Sequence, residues 1–232
     1  MQKNINFDLL SAKDIAQFID HTLLKPDIYK NEIKTLCDEA LFHNFYSVCV
    51  NASMLGFARE HLRGTDVKMV AVIGFPLGAT DPSSKAFEAT RCINMGAHEI
   101  DMVLNIGALK AGDHSYIKRE IEDVVRASEG HIVKVIIETY LLSDDQKRTA
   151  CELSMDGGAH FVKTCTGFNG GGATLEDIKL MKDVVSPKLQ VKASGGIRDY
   201  KFARELLMAG ATRLGTSSGV KIVQGLDGQG NY

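Results

Sequence analysis

The chain has 232 residues, of which 44% are hydrophobic and 24% charged, and its formal net charge is −2 at pH 7. This charge balance gives no reason to expect a nucleic acid or an anionic membrane as a partner. The apolar fraction supports the core of one large α/β barrel or of two smaller domains, and no apolar run approaches the roughly 20 residues that span a bilayer.

A short helix is predicted near the N-terminus. Ser11 with Asp14 has the spacing of a capping box, and apolar residues follow on one helical face. The next segment, Ile19–Leu23, is a candidate for a short strand, and Pro26 with Asp27 opens a second helix. This stretch lacks the apolar h-region of a signal peptide, so the sequence predicts a cytoplasmic location.

Strand and helix then alternate along the chain. Seven further strands are predicted, at residues 46–51, 67–75, 99–105, 132–139, 161–167, 189–196 and 212–216. The segments between them have helical apolar spacing and capping pairs, such as Ser143 with Gln146 and Thr174 with Asp177. Eight evenly spaced units predict an α/β fold, a single (β/α)8 TIM barrel over residues 1–232, with residues 226–232 as a mobile tail. A doubly wound open sheet is the alternative.

The spacing of cysteines and histidines bears on redox state and metal binding. The five cysteines form no CxxC pair, which indicates reduced thiols. The seven histidines form no HxH, HxxH or HExxH pair, so the sequence predicts no dedicated transition-metal site.

Charged residues recur on one face of several predicted strands. Side chains alternate along a strand, so each of these strands has an aliphatic face that meets the helices and a mixed face that points inward. The charged residues on the mixed faces are Asp101, Lys134, Glu138, Lys163 and Lys192. We expect these five side chains to line one interior, either as structural ion pairs or as a catalytic group.

Lys163 and Lys192 are expected to lie close together, because they occupy adjacent strands at similar depth. A free lysine has a pKa of about 10.4 and is neutral in roughly one molecule per few thousand at pH 7. A second ammonium about 5 Å away would contribute roughly 3 kcal/mol of repulsion at an effective dielectric of about 20, which favours the neutral amine. A neutral amine attacks carbonyl carbons, so the pair indicates Schiff-base chemistry, with Asp101 nearer Lys192 or moving protons through a water.

Glycine-rich segments after the last two predicted strands indicate a phosphate site. The residues that we expect to bind the anion are Gly195, Gly196, Arg198, Gly215, Ser217 and Ser218. Glycine lets backbone N–H groups approach an anion, and the serine hydroxyls and the guanidinium add donors. Loops at this position of a barrel commonly hold phosphate.

Five blocks of the sequence resemble, in the same order, the deoxyribose-phosphate aldolase family of class I aldolases. They are DHTLL at 20–24, EIDMVLN at 99–105, KVIIET at 134–139, FVKTCTG at 161–167 and VKASGGIR at 191–198. The resemblance implies reversible cleavage of 2-deoxy-D-ribose 5-phosphate to D-glyceraldehyde 3-phosphate and acetaldehyde, without metal or organic cofactor. It also implies a sugar phosphate and an aldehyde as the small-molecule partners. The oligomeric state stays open, with a homodimer as one option.

The resemblance also assigns roles to residues. It implies Lys163 as the Schiff-base former, Lys192 as the cation that perturbs it and Asp101 as the proton-relay partner. Gly167 joins the phosphate pocket, and the further candidates for a proton relay are Asp20 and Tyr232. Two residues depart from the family pattern, since Cys165 stands where serine is common and Phe168 where some members have lysine.

Two other functions fit the same residues. One is a Schiff-base aldolase of sugar phosphates that uses a different donor, such as dihydroxyacetone phosphate. The other is a non-catalytic sugar-phosphate sensor on a barrel scaffold. A sensor would need no neutral amine, and two adjacent lysines would then have no explanation.

Overall fold

Eight parallel strands close into a barrel in the computed structural model of the chain, which describes residues 10–226. The strands are β1 Ile19–Leu23, β2 Ser47–Asn51, β3 Lys68–Ile73, β4 Glu99–Val103, β5 Ile132–Ile136, β6 Phe161–Lys163, β7 Gln190–Ser194 and β8 Arg213–Thr216. Each strand pairs with the next in sequence, and β8 pairs with β1. The predicted (β/α)8 TIM barrel is therefore confirmed, and the open-sheet alternative is wrong.

Helices surround the barrel and connect its strands. Within residues 10–226 they are α1 Lys30–His43, α2 Leu55–His61, α3 Pro82–Asn94, α4 Ile106–Lys110, α5 His114–Ala127, α6 Asp144–Asp156, α7 Leu175–Val185, α8 Tyr200–Ala209 and α9 Gly219–Val223. None of the helices in this part of the chain is long and apolar enough to cross a membrane.

The predicted N-terminal helix is present as a 3₁₀ helix, Ala12–Phe18. The Asp14 carboxylate accepts hydrogen bonds from the backbone N–H and the hydroxyl of Ser11, at 2.8 and 2.7 Å. This interaction satisfies a donor that the first turn would leave without a partner. The helix ends directly at β1, whose inward side chain Asp20 belongs to the candidate site.

Two predicted helix caps are also confirmed. The Ser143 hydroxyl accepts from the Gln146 N–H, and the Gln146 side chain accepts from the Ser143 N–H, which fixes the start of α6. The Thr174 hydroxyl accepts from the Asp177 N–H at the start of α7. Such caps typically contribute about 1 kcal/mol each.

Strand alternation places the core on the outer face of the barrel. Ile100, Met102 and Leu104 are fully buried in the main cluster between strands and helices, as predicted for the aliphatic face. A second, smaller cluster, which we call the inner apolar cluster, lies inside the barrel. Its members are Leu24, Cys49, Val70 and Val72, with Phe75 packed against them.

The strands end earlier than the sequence indicated. Strand β6 was expected to reach Gly167 but ends at Lys163. The Thr164 hydroxyl donates to the Ser194 carbonyl at 2.8 Å and accepts from the Ser194 N–H at 3.0 Å. Because this side chain replaces a backbone ladder, the chain leaves the strand directly after Lys163 and opens a loop there.

A buried ion pair outside the barrel joins α3 to α5. The Lys85 amine donates to Glu120 at 2.5 Å and to the carbonyls of Gly78 and Val103, and Glu120 accepts from the Asn105 N–H. Burial is the largest influence on both groups, and it lowers the pKa of Lys85 and raises the pKa of Glu120. The pair holds the ends of β3 and β4 against α5.

We expect Lys85→Met to reduce the free energy of unfolding by about 3–5 kcal/mol, because it leaves a buried carboxylate without its cation. The double variant Lys85→Met, Glu120→Leu should lose less than Lys85→Met alone, since no uncompensated charge remains. Urea denaturation followed by far-UV circular dichroism measures both. A double variant less stable than either single variant would contradict the argument.

Candidate active site

Seven charged side chains form one network inside the barrel, which we call the interior network. Its members are Asp20, Glu99, Asp101, Lys134, Lys163, Lys192 and Arg213, and each is at most 6% exposed. They come from six of the eight strands, and their alternation with aliphatic residues directs all of them inward. Removing so many charges from water is unfavourable, and this cost is offset because each charge contacts an opposite charge.

Asp101 is the centre of the interior network. One carboxylate oxygen, Oδ1, accepts from Lys134 at 2.8 Å. The other, Oδ2, accepts from Lys163 at 2.7 Å and from Lys192 at 2.8 Å, so the two Nζ atoms lie within about 5.5 Å of each other. Lys163 and Lys192 are also direct register partners on β6 and β7. The structure thus places the two lysines side by side, bridged by one oxygen.

Lys192 is held as a cation by two carboxylates. Its amine contacts Asp20 and Asp101 and is fully buried. Burial alone would lower the pKa of Lys192, but Asp101 and Asp20 outweigh it and raise the pKa above the usual value. Burial likewise acts to raise the pKa of Asp20, and the cations Lys192 and Arg213 reverse the direction and lower it.

Lys163 differs from Lys192 in its access to solvent. A cavity of about 500 Å³ opens beyond the carboxyl ends of the strands, and Lys163 lines it whereas Lys192 does not. Gly215 leaves room for the side chain of Lys192. A Cβ at position 215 would lie 3.0 Å from Cε of Lys192. Lys192 therefore packs against Gly215 of β8, and Lys163 is the lysine of the two that lines the cavity.

The basic groups of the interior network outnumber its carboxylates by one. It contains four basic groups and three carboxylates, so the network is neutral when one basic group is neutral. Lys134 and Arg213 each contact two carboxylates, as Lys192 does. Within residues 10–226, Lys163 contacts one carboxylate, Asp101, which it shares. Lys163 is therefore the basic group of the interior network with the fewest carboxylate contacts.

The far end of the cavity is suited to an anion. Of the residues expected to bind phosphate, those that line the cavity are Gly167, Gly195, Arg198, Gly215, Ser217 and Ser218. Gly196 is exposed beside this lining but is not part of it. The Thr216 hydroxyl donates to the Ile197 carbonyl at 2.7 Å and accepts from the Ser218 N–H at 2.9 Å, which ties the two glycine-rich loops together.

Sequence reasoning missed three cations. Arg213 belongs to the interior network, and the alternation rule applied to the last strand would have placed it inward with Gly215. Lys25 and Lys221 line the mouth of the cavity. They lie after β1 and in the short helix α9, where no periodic pattern indicates which way a side chain points.

One predicted member of the interior group is placed differently. Glu138 is fully buried, but its carboxylate accepts hydrogen bonds from Thr166 and Asn169 on the loop after β6. The expectation that Glu138 lines the interior with the lysines is wrong, because β5 ends at Ile136 and Glu138 adopts a left-handed conformation with φ of 56°. The strand alternation used for the prediction no longer applies there.

Other sequence candidates are placed as follows. The Cys165 thiol is buried, 3.3 Å from the hydroxyl of Thr139. Phe168 lines the cavity with 47% of its surface exposed, and its ring meets Phe75 edge-on at 5.2 Å. Tyr232 lies outside the described residues. In the described part of the chain, no three His, Cys, Asp or Glu side chains converge to hold a metal ion, and a cofactor-free reaction stays a prediction.

Comparison with known proteins gives consistent matches over almost the whole chain. Residues 15–225 match the family described as DeoC/LacD family aldolase. Deoxyribose-phosphate aldolase of Bdellovibrio bacteriovorus is 55% identical over 218 residues, which are 94% of this chain and 99% of that protein. The enzyme of that name from Thermococcus gammatolerans is 55% identical over 216 residues, 91% of this chain and 96% of that protein.

A solved structure agrees with these matches. The deoxyribose-phosphate aldolase from Aeropyrum pernix, described as tetrameric, superposes with a TM-score of 0.85 at 32% identity. The superposition covers 94% of this chain and 93% of that one. The barrel and the order of its strands are therefore shared with that protein.

Proposed function

The chain belongs to the DeoC/LacD family of aldolases, and from this premise we infer that it is a deoxyribose-phosphate aldolase. The reaction is the reversible cleavage of 2-deoxy-D-ribose 5-phosphate to D-glyceraldehyde 3-phosphate and acetaldehyde. One observation carries the chemical part of the proposal. Lys163 faces the cavity while sharing one Asp101 oxygen with Lys192, a buried cation.

Lys163 is the proposed nucleophile. Its neutral amine adds to the C1 carbonyl carbon of the open-chain sugar, and loss of water from the carbinolamine gives a protonated Schiff base. Removal of the proton from the C3 hydroxyl breaks the C2–C3 bond and releases D-glyceraldehyde 3-phosphate. The bonding electrons move to the iminium nitrogen as an enamine forms. Protonation at C2 and hydrolysis then release acetaldehyde and restore the amine.

Asp101 and Lys192 are the proposed groups that manage protons. Asp101 touches the Lys163 amine, so it can accept and return the proton lost during carbinolamine formation, directly or through a water. Lys192, which Asp101 and Asp20 hold as a cation, places a fixed positive charge beside the reacting nitrogen. Asp20 is the proposed next member of the relay, because it contacts Lys192 from β1. Tyr232 stays a proposal from the family pattern.

The phosphate group is proposed to bind at the glycine-rich end of the cavity. Backbone N–H groups of the loops after β7 and β8 and the hydroxyls of Ser217 and Ser218 supply neutral donors. Arg198 supplies charge at the same end, and Gly167 extends the lining from the β6 side. With Phe168 at the rim, this pocket depends on backbone donors and Arg198.

Product analysis tests the reaction. The purified protein should release acetaldehyde and D-glyceraldehyde 3-phosphate from 2-deoxy-D-ribose 5-phosphate, as detected by coupled dehydrogenases. In the synthetic direction, acetaldehyde should serve as donor and dihydroxyacetone phosphate should not. Use of dihydroxyacetone phosphate would support the aldolase with another donor, and binding without turnover would support a sensor.

Location and assembly are part of the same proposal. All five cysteines are free and buried in the structure, which fits the reducing cytoplasm that we propose for the protein. We also propose that the chain self-associates, with a homodimer as the smallest assembly. Light scattering after size exclusion measures the mass, and a monomer at micromolar concentration would contradict self-association.

A further inference from the structure

Glu138 interrupts the pairing of β5 with β6. The Ile137 N–H donates to the Lys163 carbonyl at 3.0 Å, and the Thr139 N–H donates to the Thr164 carbonyl at 3.1 Å. In a regular parallel ladder, Thr139 would donate to the carbonyl two residues beyond Lys163. The β5 side therefore contains one extra residue, Glu138, and forms a bulge.

The bulge holds a non-glycine residue in an unfavourable conformation. Glu138 has φ of 56° and ψ of 64°, in the left-handed region that side chains disfavour. A residue stays in such a conformation when its surroundings fix it, and such residues are frequent near functional sites. Here the conformation redirects the Glu138 side chain from the strand face toward the loop that follows Lys163.

The Glu138 carboxylate organises that loop. Oε2 accepts from the Thr166 hydroxyl at 2.5 Å, from the Thr166 N–H at 3.2 Å and from the Asn169 amide at 2.9 Å. The Thr166 hydroxyl in turn accepts from the Phe168 N–H at 3.1 Å. One buried carboxylate thus holds Thr166 and Asn169 directly and Phe168 through the Thr166 hydroxyl. We call residues 166–169 the β6 loop.

The β6 loop forms one wall of the cavity. Thr166, Gly167 and Phe168 all line it, opposite the glycine-rich loops after β7 and β8. Lys163 lies before this loop, on β6 itself, and its amine is fixed from below by Asp101. The loop can therefore shift without moving the amine, and the shift would alter the end of the cavity that is suited to an anion.

We propose that Glu138 is a positioning residue for the phosphorylated end of the substrate, acting through the β6 loop. This inference rests on the proposed aldolase function. It separates two parts of the site, because the bulge controls recognition of the phosphate end while the interior network controls the amine. Loss of the Glu138 carboxylate impairs use of the phosphorylated sugar and leaves Schiff-base formation at Lys163 intact.

The test compares two substrates, 2-deoxy-D-ribose 5-phosphate and unphosphorylated 2-deoxy-D-ribose, in Glu138→Gln. The glutamine carbonyl oxygen can take the place of Oε2, but the amide nitrogen then faces the Thr166 N–H, a donor that lies 3.4 Å from Oε1 in the structure. The negative charge that strengthens the remaining hydrogen bonds is also lost. We expect the ratio of kcat/KM for the phosphorylated over the unphosphorylated sugar to fall at least about 10-fold, mainly through KM. Borohydride trapping of acetaldehyde on Lys163 should keep a rate within about 2-fold of wild type.

A matched control is available in the same protein. Glu120 is also fully buried and also accepts from a backbone N–H, but it contacts Lys85 behind the barrel. Glu120→Gln should keep the substrate ratio within about 2-fold of wild type even where stability falls. An unchanged ratio in Glu138→Gln, or an equal fall in both variants, would overturn the inference.

A second variant guards against a Glu138→Gln protein that does not fold. Asn169→Ala removes one donor at the partly exposed edge of the loop, and the same ratio should fall about 3-fold. A wild-type ratio in this variant would overturn the inference as well. Wild-type protein that cleaves neither sugar would instead refute the proposed function, so the two failures are distinguishable.

Discussion

Lys163→Leu is expected to lower kcat/KM for 2-deoxy-D-ribose 5-phosphate by at least about 10⁴-fold, because it removes the amine proposed to form the covalent intermediate. The fold should be retained. Removing Lys163 leaves three basic groups and three carboxylates in the interior network, and Asp101 keeps its contacts to Lys134 and Lys192. The thermal midpoint should therefore match or exceed that of the wild type. Coupled assays and thermal denaturation measure the two quantities.

Covalent trapping locates the nucleophile directly. Incubation with acetaldehyde and borohydride should add one ethyl group to Lys163, identified by peptide mass mapping, and Lys163→Leu should not be labelled in the cavity. Lys25→Leu is the matched control, since it removes another lysine that lines the cavity but lies outside the interior network. An adduct on a different lysine, or full activity in Lys163→Leu, would refute the assignment.

Lys192→Leu is expected to reduce turnover at pH 7 by at least about 100-fold, because it removes the cation that Asp20 and Asp101 hold beside the reacting nitrogen. The charge of the interior network changes with it. Without Lys192, three basic groups face three carboxylates, and the fixed positive charge next to Lys163 is lost. Coupled assays of both proteins at pH 7 measure the fall in turnover.

Lys192→Arg provides the matched control for this prediction. The guanidinium keeps the positive charge, so turnover should fall less than in Lys192→Leu. Turnover should still fall, because a fully buried site must accept a larger group. If Lys192→Leu and Lys192→Arg lose turnover equally, the proposed electrostatic role of Lys192 is wrong.

Local patterns were sufficient to predict the barrel and most of its interior network. Asp101, Lys134, Lys163 and Lys192 all alternate with aliphatic residues on strands, and the period of two fixes which way each side chain points. Register between strands then brings the two lysines together without further information. These predictions depended on regular backbone, and they hold wherever the backbone is regular.

The remaining features depend on contacts between segments that are distant in sequence. Glu138 follows the alternation pattern in the sequence but lies on a bulge, whose cause is a set of donors near residue 166. Lys192 packs against Gly215 of the next strand, β8, and Lys163 is the lysine of the pair that lines the cavity. No local pattern contains either fact, which is why both required the three-dimensional structure.

The inner apolar cluster divides the barrel interior into two unequal sides. Strands β2 and β3 contribute Cys49, Val70 and Val72, while the interior network occupies the opposite side. Val72 is the register partner of Asp101, and Asp101 contacts the amine of Lys163. The boundary between the apolar and the charged parts of the interior therefore lies beside the reacting nitrogen. Of the inner apolar cluster, Leu24 lines the cavity, so shortening Leu24 is the change expected to make room for a bulkier aldehyde while the interior network stays in place.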